Sequence, residues 1–278
     1  MSLNKLNKIV CYTILILLSI LCLFSFYLLI VNSTRVHSQI QKGFSFFTGD
    51  YFNTNLKNVL GNKELPVVKG IINSLIVSAA TAALATYFSV LTAFSIHTYE
   101  FKFKKLAFTI IMMLMMVPPQ VSALGFVKWM GKLDIMDSLI PLFLPSIASP
   151  IVFYFMLSYM QSSLPKAIVE AARMDGSSEF RTFNQIVLPI MKPAIAVQAI
   201  FTFVSAWNNY FIPSLIIRSA ENKTLPILVA QLRSADYLKF DMGQVYMLIF
   251  LAIIPIIIIY IILSKYIVRG VAVGSVKE

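Results

Sequence analysis

Reactive side chains are scattered through this sequence, except along one charged and amphipathic segment at residues 165–193. The two histidines, His37 and His97, and the two cysteines, Cys11 and Cys22, form no cluster with carboxylates that could bind a metal or act in catalysis. The cysteines are about three helical turns apart in one apolar stretch, too far to bridge each other. We therefore expect no catalytic residue, no metal and no cofactor in this chain, and the segment 165–193 is the candidate interaction surface.

The first part of this segment predicts a helix. Pro165 follows two serines, which is a helix-start signal. Small or apolar side chains then recur at helical spacing and predict a face that another protein's backbone could approach closely. These residues are Ala167, Ala171, Ala172 and Met174.

The second part predicts a turn and another short helix. Gly176 interrupts the pattern, as glycine does at a helix C-terminus. Phe180 and Phe183 then stand three residues apart, on one face of the next helix. We expect that helix to end at Pro189 and Pro193. The segment is thus predicted to be a helix–turn–helix knob between two apolar spans.

A helix of this kind can lie on lipid headgroups or dock onto a partner protein. The residues Glu170-Ala171-Ala172, Asp175-Gly176, Phe183 and Pro193 resemble the "EAA" loop of ABC importer permeases. In that family the loop forms a coupling helix that docks into a cleft on the ATP-hydrolysing subunit. The resemblance implies that Glu170 pairs with a basic residue of that cleft and that Gly176 allows the tight turn. The implied coupling site comprises Glu170, Ala171, Ala172, Met174, Asp175, Gly176 and Phe183.

The composition is that of an integral membrane protein. Of the 278 residues, 58% are hydrophobic and 13% are charged, whereas a soluble domain has about 45–50% and about 25%. The net charge of +11 resides in short loops between apolar spans. Charges in these loops indicate binding to anionic lipid headgroups and to a partner protein rather than to nucleic acid.

Six apolar stretches are long enough to cross a bilayer. The first exceeds the apolar core of a signal peptide, about 7–15 residues, so we expect it to be retained. The third contains Pro118 and Pro119, which lack backbone donors, and such a break is tolerated only where protein or water satisfies the freed carbonyls. The predicted spans are 9–31, 70–96, 106–127, 138–159, 194–217 and 243–264, separated in part by polar loops at 32–67 and 218–242.

Neutral polar residues inside these spans are candidates for a translocation pathway, because polar groups in a membrane are costly and usually face a bundle interior. Plain helix packing, a packed interface or an interfacial aromatic anchor are the alternatives. The candidates are Asn73, Gln120, Trp207, Asn208, Asn209 and Tyr210.

Six spans place both termini on the same side as the loops at 97–105 and 159–193. The 23 Lys and Arg residues divide almost evenly between the two sides. The positive-inside rule therefore favours internal termini only through Lys102, Lys104 and Lys105 and the flanks of the outer spans. The coupling-loop resemblance decides the orientation, since that loop must be cytoplasmic to meet an ATPase.

Two more stretches carry the resemblance. Residues 207–213 are similar to the W-N-x-[FY]-x-x-P stretch of carbohydrate-importer permeases, and residues 269–277 to the R-G-x-x-x-G-[AS]-V-K tail of maltose-type "G" permease subunits. The chain ends in Glu278 where relatives often have Gly. The resemblance implies that the tail residues Gly274, Ser275, Val276 and Lys277 reach toward the ATPase dimer interface.

The resemblance implies an all-α integral membrane fold with six transmembrane helices, that of a type I (MetI-like) permease. Its parts would be a first helix and external loop at 1–67, a transmembrane core at 68–265 containing the coupling loop 159–193, and a cytoplasmic tail at 266–278. The implied setting is a bacterial plasma membrane with both termini cytoplasmic. The implied partners are a second homologous permease, two ATPase subunits that bind ATP and Mg, and an extracytoplasmic solute-binding protein that delivers a sugar, such as an oligosaccharide.

Other functions compete with sugar import. An importer for amino acids, polyamines, phosphate or metal is one, but the span cores hold Asn, Gln, Ser, Tyr and Trp and essentially no charged residue, which suits sugar hydroxyls and ring faces better. A membrane-embedded enzyme is another, but it needs a nucleophile with a base, or paired carboxylates, within the spans. A sensor would need a soluble domain, and no segment is long enough.

Overall fold

The computed structural model describes residues 2–62, 64–234 and 240–275, and within these ranges the chain is helical without strands. Five stretches are long and apolar enough to cross a membrane, and a bent pair of helices makes a sixth if counted as one span. The predicted all-α fold with six spans is confirmed on that count. The helices are α1 (Ser2–Ser33), α2 (His37–Gln41), α3 (Phe52–Leu60), α4 (Val67–Thr98), α5 (Lys104–Leu114), α6 (Pro119–Lys132), α7 (Ile140–Phe143), α8 (Pro150–Ser163), α9 (Lys166–Met174), α10 (Glu179–Thr182), α11 (Leu188–Trp207), α12 (Phe211–Ile216), α13 (Leu225–Arg233) and α14 (Met242–Ser275).

The third span, predicted at 106–127 with a break at Pro118 and Pro119, is bent at that break. The axes of α5 and α6 differ by 97°. Pro118 is extended at φ −63° and ψ 131°, and Pro119 occupies the first turn of α6. A residue that precedes proline is disfavoured in helical conformation, and neither proline donates a backbone hydrogen bond, so one helix cannot run through this point.

The fifth span is displaced toward the N-terminus from the predicted 194–217. The apolar helical stretch covers Glu179–Trp207, because α10 passes through one π-helical turn at Phe183–Val187 directly into α11. The expectation that Pro189 and Pro193 end the second helix of the knob is therefore wrong. Pro189 lies just after the π-helical turn, and Pro193 lies inside α11.

Both long loops contain helices. The loop predicted at 32–67 holds α2 and α3, and the loop predicted at 218–242 holds α13. The prediction of a polar loop at 218–242 needs correction, because Leu225, Leu228 and Leu232 of α13 are buried. Their spacing of three and four residues places all three on one side of a helix.

One compact unit combines the chain up to residue 67 with residues 228–254. In this unit the side-chain amide of Asn55 donates to the carbonyl oxygens of Ser33 at 2.9 Å and Arg35 at 3.0 Å. A Cβ atom on Gly243 would lie 2.7 Å from the Arg35 carbonyl oxygen. Only glycine therefore lets the first turn of α14 approach the end of α1 so closely.

The other compact unit combines residues 68–227 with the chain beyond residue 254. Its core joins α4, α8 and the helix that continues the knob. Phe94, Met156, Met160, Phe183 and Met191 are each at most 3% exposed in this core. The candidate coupling segment is thus fixed to a well-packed base. The predicted domain boundaries at 67 and 265 stay a prediction.

Candidate coupling site

The helix–turn–helix knob predicted at 165–193 is confirmed by α9, the turn and α10. Gly176 has φ +75°, a left-handed conformation that favours glycine. Its N–H donates to the Arg173 carbonyl at 3.0 Å, and the N–H of Ser177 donates to the Ala172 carbonyl at 2.9 Å. Ser178 then caps α10 by accepting the N–H of Arg181. These hydrogen bonds hold the chain in a tight turn.

The inner face of the knob is anchored in the core. Val169 is fully buried, Ala172 is 6% exposed and Phe183 is 1% exposed. The Phe183 ring lies 5.7 Å from the rings of both Phe94 and Tyr87, measured between centroids. Ala172 and Phe183 were predicted to belong to the coupling site, and that role stays a prediction. They face the core because they share a helix face with other apolar residues, so they support the surface from behind.

The outer face of the knob presents the other predicted coupling residues. Glu170, Ala171, Asp175 and Gly176 are exposed, and Met174 is 89% exposed. Among the described residues, Glu170 has no hydrogen-bond or ion-pair partner. A free carboxylate and a large exposed thioether on a rigidly supported helix form a surface suited to another protein.

A contact that the sequence did not reveal ties this knob to the end of α4. Tyr99 donates its hydroxyl to Glu179 Oε2 at 2.5 Å, and Arg173 Nε donates to Glu179 Oε1 at 2.7 Å. The Arg173 guanidinium lies 5.2 Å from the centroid of the Tyr99 ring. Partial burial, reinforced by the Glu179 carboxylate, raises the pKa of Tyr99. Tyr99 and Glu179 are 80 residues apart, and no local pattern connects them.

A second set of unpredicted contacts holds the start of α9. Glu100 Oε1 accepts from Lys104 Nζ at 2.9 Å and from Lys166 Nζ at 3.2 Å. These two lysines lower the pKa of Glu100, Lys104 being the larger cause. His97 Nε2 lies 3.0 Å from the carbonyl oxygen of Leu164, the buried residue between α8 and α9. The loop after α4 thus contacts both ends of α9, through Glu100 at Lys166 and through Tyr99 at Arg173.

The predicted pathway residues fall into different environments. Asn73 donates its amide to the carbonyls of Glu221 at 2.8 Å and Lys223 at 3.0 Å, next to a bond of 2.8 Å from the N–H of Leu225 to Ser74 Oγ. These bonds attach Asn73 to the loop before α13, which favours the packing alternative, and its place in a pathway stays a prediction. Gln120 is exposed in the first turn of α6.

The run from 207 to 210 marks the end of α11 rather than the interior of a span. Trp207 is 2% exposed, and its ring stacks on Phe203 with centroids 5.8 Å apart. Asn208 is the C-cap of α11, and Asn208, Asn209 and Tyr210 are exposed. The buried indole therefore packs, while the polar residues that follow it are accessible.

Other neutral residues line a groove between α8 and α11. It has a volume of about 370 Å³ and is bordered by Phe155, Ser158, Tyr159 and Gln198. No sequence pattern set these residues apart, because each looks like an ordinary member of an apolar helix.

The remaining predicted residues are in the tail. Gly274 and Ser275 lie in the last turn of α14, whereas Val276 and Lys277 lie outside the described residues. Among the described residues, no group of three or more His, Cys, Asp or Glu side chains could hold a metal ion.

Comparisons with known proteins place this geometry in a family. Residues 85–273 match the family described as binding-protein-dependent transport system inner membrane component. The chain is 33% identical to the arabinooligosaccharides transport system permease protein AraQ of Bacillus subtilis, over 94% of this chain and 92% of that one. It is 28% identical to the lactose transport system permease protein LacG of Rhizobium radiobacter over 99% and 98% of the two chains. It is also 28% identical to the sn-glycerol-3-phosphate transport system permease protein UgpE of Yersinia pestis over 94% and 95%.

The fold has a counterpart of known structure. A chain from the crystal structure of a bacterial ABC transporter that imports the acidic polysaccharide alginate superimposes with a TM-score of 0.81 at 21% identity, over 95% of this chain and 97% of that one. This likeness concerns the fold. The matched family covers α9, the turn and α10 together with the core that holds them. The chain belongs to the binding-protein-dependent transport system inner membrane components, the permease subunits of ABC importers, and is a transport subunit rather than an enzyme.

Proposed function

We propose that this chain is one of two permease subunits of an ABC sugar importer and transmits ATPase movements through the outer face of α9. One observation carries the proposal: the free carboxylate of Glu170 and the exposed Met174 stand on a helix whose other face is buried at Val169. A partner that moves α9 therefore moves the core behind it, because close-packed interiors shift as units.

The proposed cargo is a neutral sugar. This choice rests on the two relatives that are named for the transport of arabinooligosaccharides and of lactose. The groove between α8 and α11 is consistent with it, since Ser158, Tyr159 and Gln198 offer hydroxyls, an amide and an aromatic face without charge. The relative named for sn-glycerol-3-phosphate supports the second candidate, a phosphorylated polyol. That cargo would need a cation in the pathway, from this chain or its partner.

The proposed assembly contains a second homologous permease, two ATPase subunits and a solute-binding protein outside the membrane. The solved alginate transporter complexed with its pentasaccharide-bound periplasmic protein illustrates delivery by such a protein. ATP and Mg belong to the ATPase subunits in this proposal, and the tail from Gly274 to Lys277 extends toward them. Both termini and the knob are cytoplasmic in a bacterial plasma membrane.

In the proposed mechanism, ATP binding closes the ATPase pair and draws the two coupling helices together. The Tyr99–Glu179–Arg173 contacts transmit this movement to α4, and Phe183 transmits it to the core. Rigid-body rocking of the helix bundles then turns the cavity from one side of the membrane to the other.

The cargo is tested by co-purifying the chain with its partner permease, ATPase and binding protein, and measuring ATPase stimulation. Neutral oligosaccharides, sn-glycerol-3-phosphate, amino acids and polyamines are compared at saturating binding protein. Stimulation by an oligosaccharide supports the sugar proposal. Stimulation only by a charged solute keeps the importer and overturns the sugar, and absence of any ATPase association overturns the coupling proposal.

The orientation is tested by cysteine labelling. With Cys11 and Cys22 replaced by serine, single cysteines are introduced at the exposed positions Met174 and Phe47. In cells that produce the chain without its ATPase subunits, a membrane-impermeant maleimide is expected to label Phe47→Cys but not Met174→Cys, and broken membranes of those cells should label both. The reverse pattern in intact cells contradicts the proposed orientation.

A further inference from the structure

A basic cleft lies where three candidate spans end. Its lining comes from the end of α4 at Ile96 and His97, the start of α5 at Lys104 and Lys105, and the end of α8 at Leu157. The cleft has a volume of about 610 Å³, within the range of about 300–1,000 Å³ that is usual for sites of organic ligands. An inorganic ion alone would leave most of this space unfilled.

The polar end of the cleft carries excess positive charge. Lys104, Lys105 and Lys166 line it together with a single acid, Glu100. That carboxylate is already shared between Lys104 and Lys166. Lys105 is exposed and has no ion-pair partner among the described residues. Its ammonium group is therefore available to an incoming anion, and the two paired lysines add to the attraction.

The other end of the cleft is apolar. Ile96, Phe108 and Leu157 line it, and Phe108 lies one helical turn further into α5 than Lys104. Because the spans containing Ile96 and Leu157 stop within a few residues, at Thr98 and Ser163, this wall lies at the level where hydrocarbon meets water. The ligand must accordingly be anionic at one end and apolar at the other.

We propose that this cleft binds an anionic phospholipid, with its phosphate at Lys105 and Lys166 and one acyl chain along Phe108 and Leu157. A basic pocket at the ends of membrane helices is the kind of site that recognises such headgroups. A free phosphate ion shares the charge but leaves the apolar wall unused. Placement in the cytoplasmic leaflet rests on the orientation given under Proposed function, whereas binding itself does not.

The site adjoins the coupling knob through Lys166, the first residue of α9. A lipid phosphate competes with Glu100 for this lysine, so the occupied cleft has a looser tie between Lys166 and the loop after α4. The lipid composition of the membrane thereby affects how firmly Glu100 holds Lys166 at the start of the coupling helix.

Lipid retention by the purified full-length chain, with whichever partner subunits accompany it, tests the proposal. Delipidated protein is titrated with phosphatidylglycerol or phosphatidylcholine in detergent and examined by native mass spectrometry. Lys105→Gln removes the free cation without touching the Glu100 pairs. Lys102→Gln is the matched control, because Lys102 lies just before α5, three residues from Lys105, but sits over the Phe103 ring. We expect phosphatidylglycerol to bind Lys105→Gln about fivefold more weakly than wild type, the effect of one lysine near an anionic lipid.

Each outcome decides the proposal. Weaker phosphatidylglycerol binding by Lys105→Gln, with wild-type binding by Lys102→Gln, supports it. Equal binding by both variants, or equal retention of phosphatidylcholine, overturns it. Displacement of the lipid by inorganic phosphate at the same concentration overturns the lipid as occupant. Since retention needs neither ATPase nor sugar, its failure is distinguishable from failure of the proposed import function.

Discussion

Tyr99 at the end of α4 donates a 2.5 Å hydrogen bond to Glu179 in the first turn of α10. Glu179 also accepts from Arg173 of α9, so one carboxylate joins a membrane helix to both helices of the coupling knob. The exposed surface around Glu170 is therefore tied to this membrane helix. Through this bond the knob is connected to α4 as well as to α11, the helix that continues it.

Replacing Tyr99 by Phe should weaken that connection while keeping the aromatic ring under Arg173. We expect a loss of about 1 kcal/mol in unfolding free energy, the usual contribution of one hydrogen bond. Sugar-stimulated ATPase activity should fall more than basal activity. Thermal unfolding and ATPase assays of the purified complex measure the two effects. Tyr154→Phe, at an exposed position of α8, is the matched control, and equal effects of the two variants would refute a specific role for Tyr99.

Gly176 should tolerate asparagine better than alanine, and alanine better than proline. A Cβ atom at this position meets nothing within 4 Å, so the cost of alanine is that of the left-handed φ, roughly 1–2 kcal/mol. Asparagine adopts this conformation more readily. Proline fixes φ near −65° and removes the N–H that bonds to the Arg173 carbonyl. We expect transport to follow the order Gly, Asn, Ala, Pro, and wild-type transport by Gly176→Pro would contradict the account.

The sequence predicted the parts of the fold that depend on local pattern. Helical spacing and the Gly176 turn identified the knob, and Pro118-Pro119 identified a weak point in the third span. The 97° bend there was not predictable, because the freed backbone groups allow many directions. The prediction that Pro189 and Pro193 end the second helix of the knob was wrong, because a π-helical turn connects α10 directly to α11. Burial of Phe183 and the Tyr99–Glu179 bond depend on distant segments, which periodicity does not reveal.

Asp137 provides a pH-sensitive clasp between two loops. Its Oδ1 accepts the N–H groups of Arg218 and Ser219, each at 2.9 Å, and the Ser219 hydroxyl at 3.1 Å. The Arg218 N–H, followed by that of Ser219, lowers the pKa of Asp137. The clasp should therefore stabilise the fold above the unfolded-state pKa of about 3.9, and this stabilisation should be lost as pH falls through the lower folded-state value.

The clasp is tested with Asp137→Asn and its control Asp134→Asn. Both aspartates have positive φ, 54° and 56°, and asparagine suits such positions, so the two exchanges differ chiefly in the lost contacts. At neutral pH we expect Asp137→Asn to unfold at lower temperature than wild type, with the difference shrinking below about pH 4. A difference that stays constant in acid would show that ionisation of Asp137 is irrelevant.

Asn73 should behave as a packing residue. Asn73→Ala removes two hydrogen bonds to the backbone of the loop at Glu221 and Lys223. We expect the free energy of unfolding to fall by about 1–3 kcal/mol. The sugar concentration that gives half-maximal transport should not change. A shifted half-maximal concentration at normal thermal stability would return Asn73 to the pathway.

The proposed coupling of the free face of α9 to an ATPase can be tested by reversing one charge. Sugar-stimulated ATP hydrolysis is measured for the reconstituted complex carrying Glu170→Lys and compared with Glu64→Lys, a charge reversal at an exposed position before α4. Subunit stoichiometry is checked by gel filtration. We expect about tenfold or greater loss of stimulation in Glu170→Lys, as for a charge reversed at a docked interface, and wild-type stimulation in Glu64→Lys. Wild-type stimulation in Glu170→Lys would show that this face of α9 does not couple the chain to an ATPase.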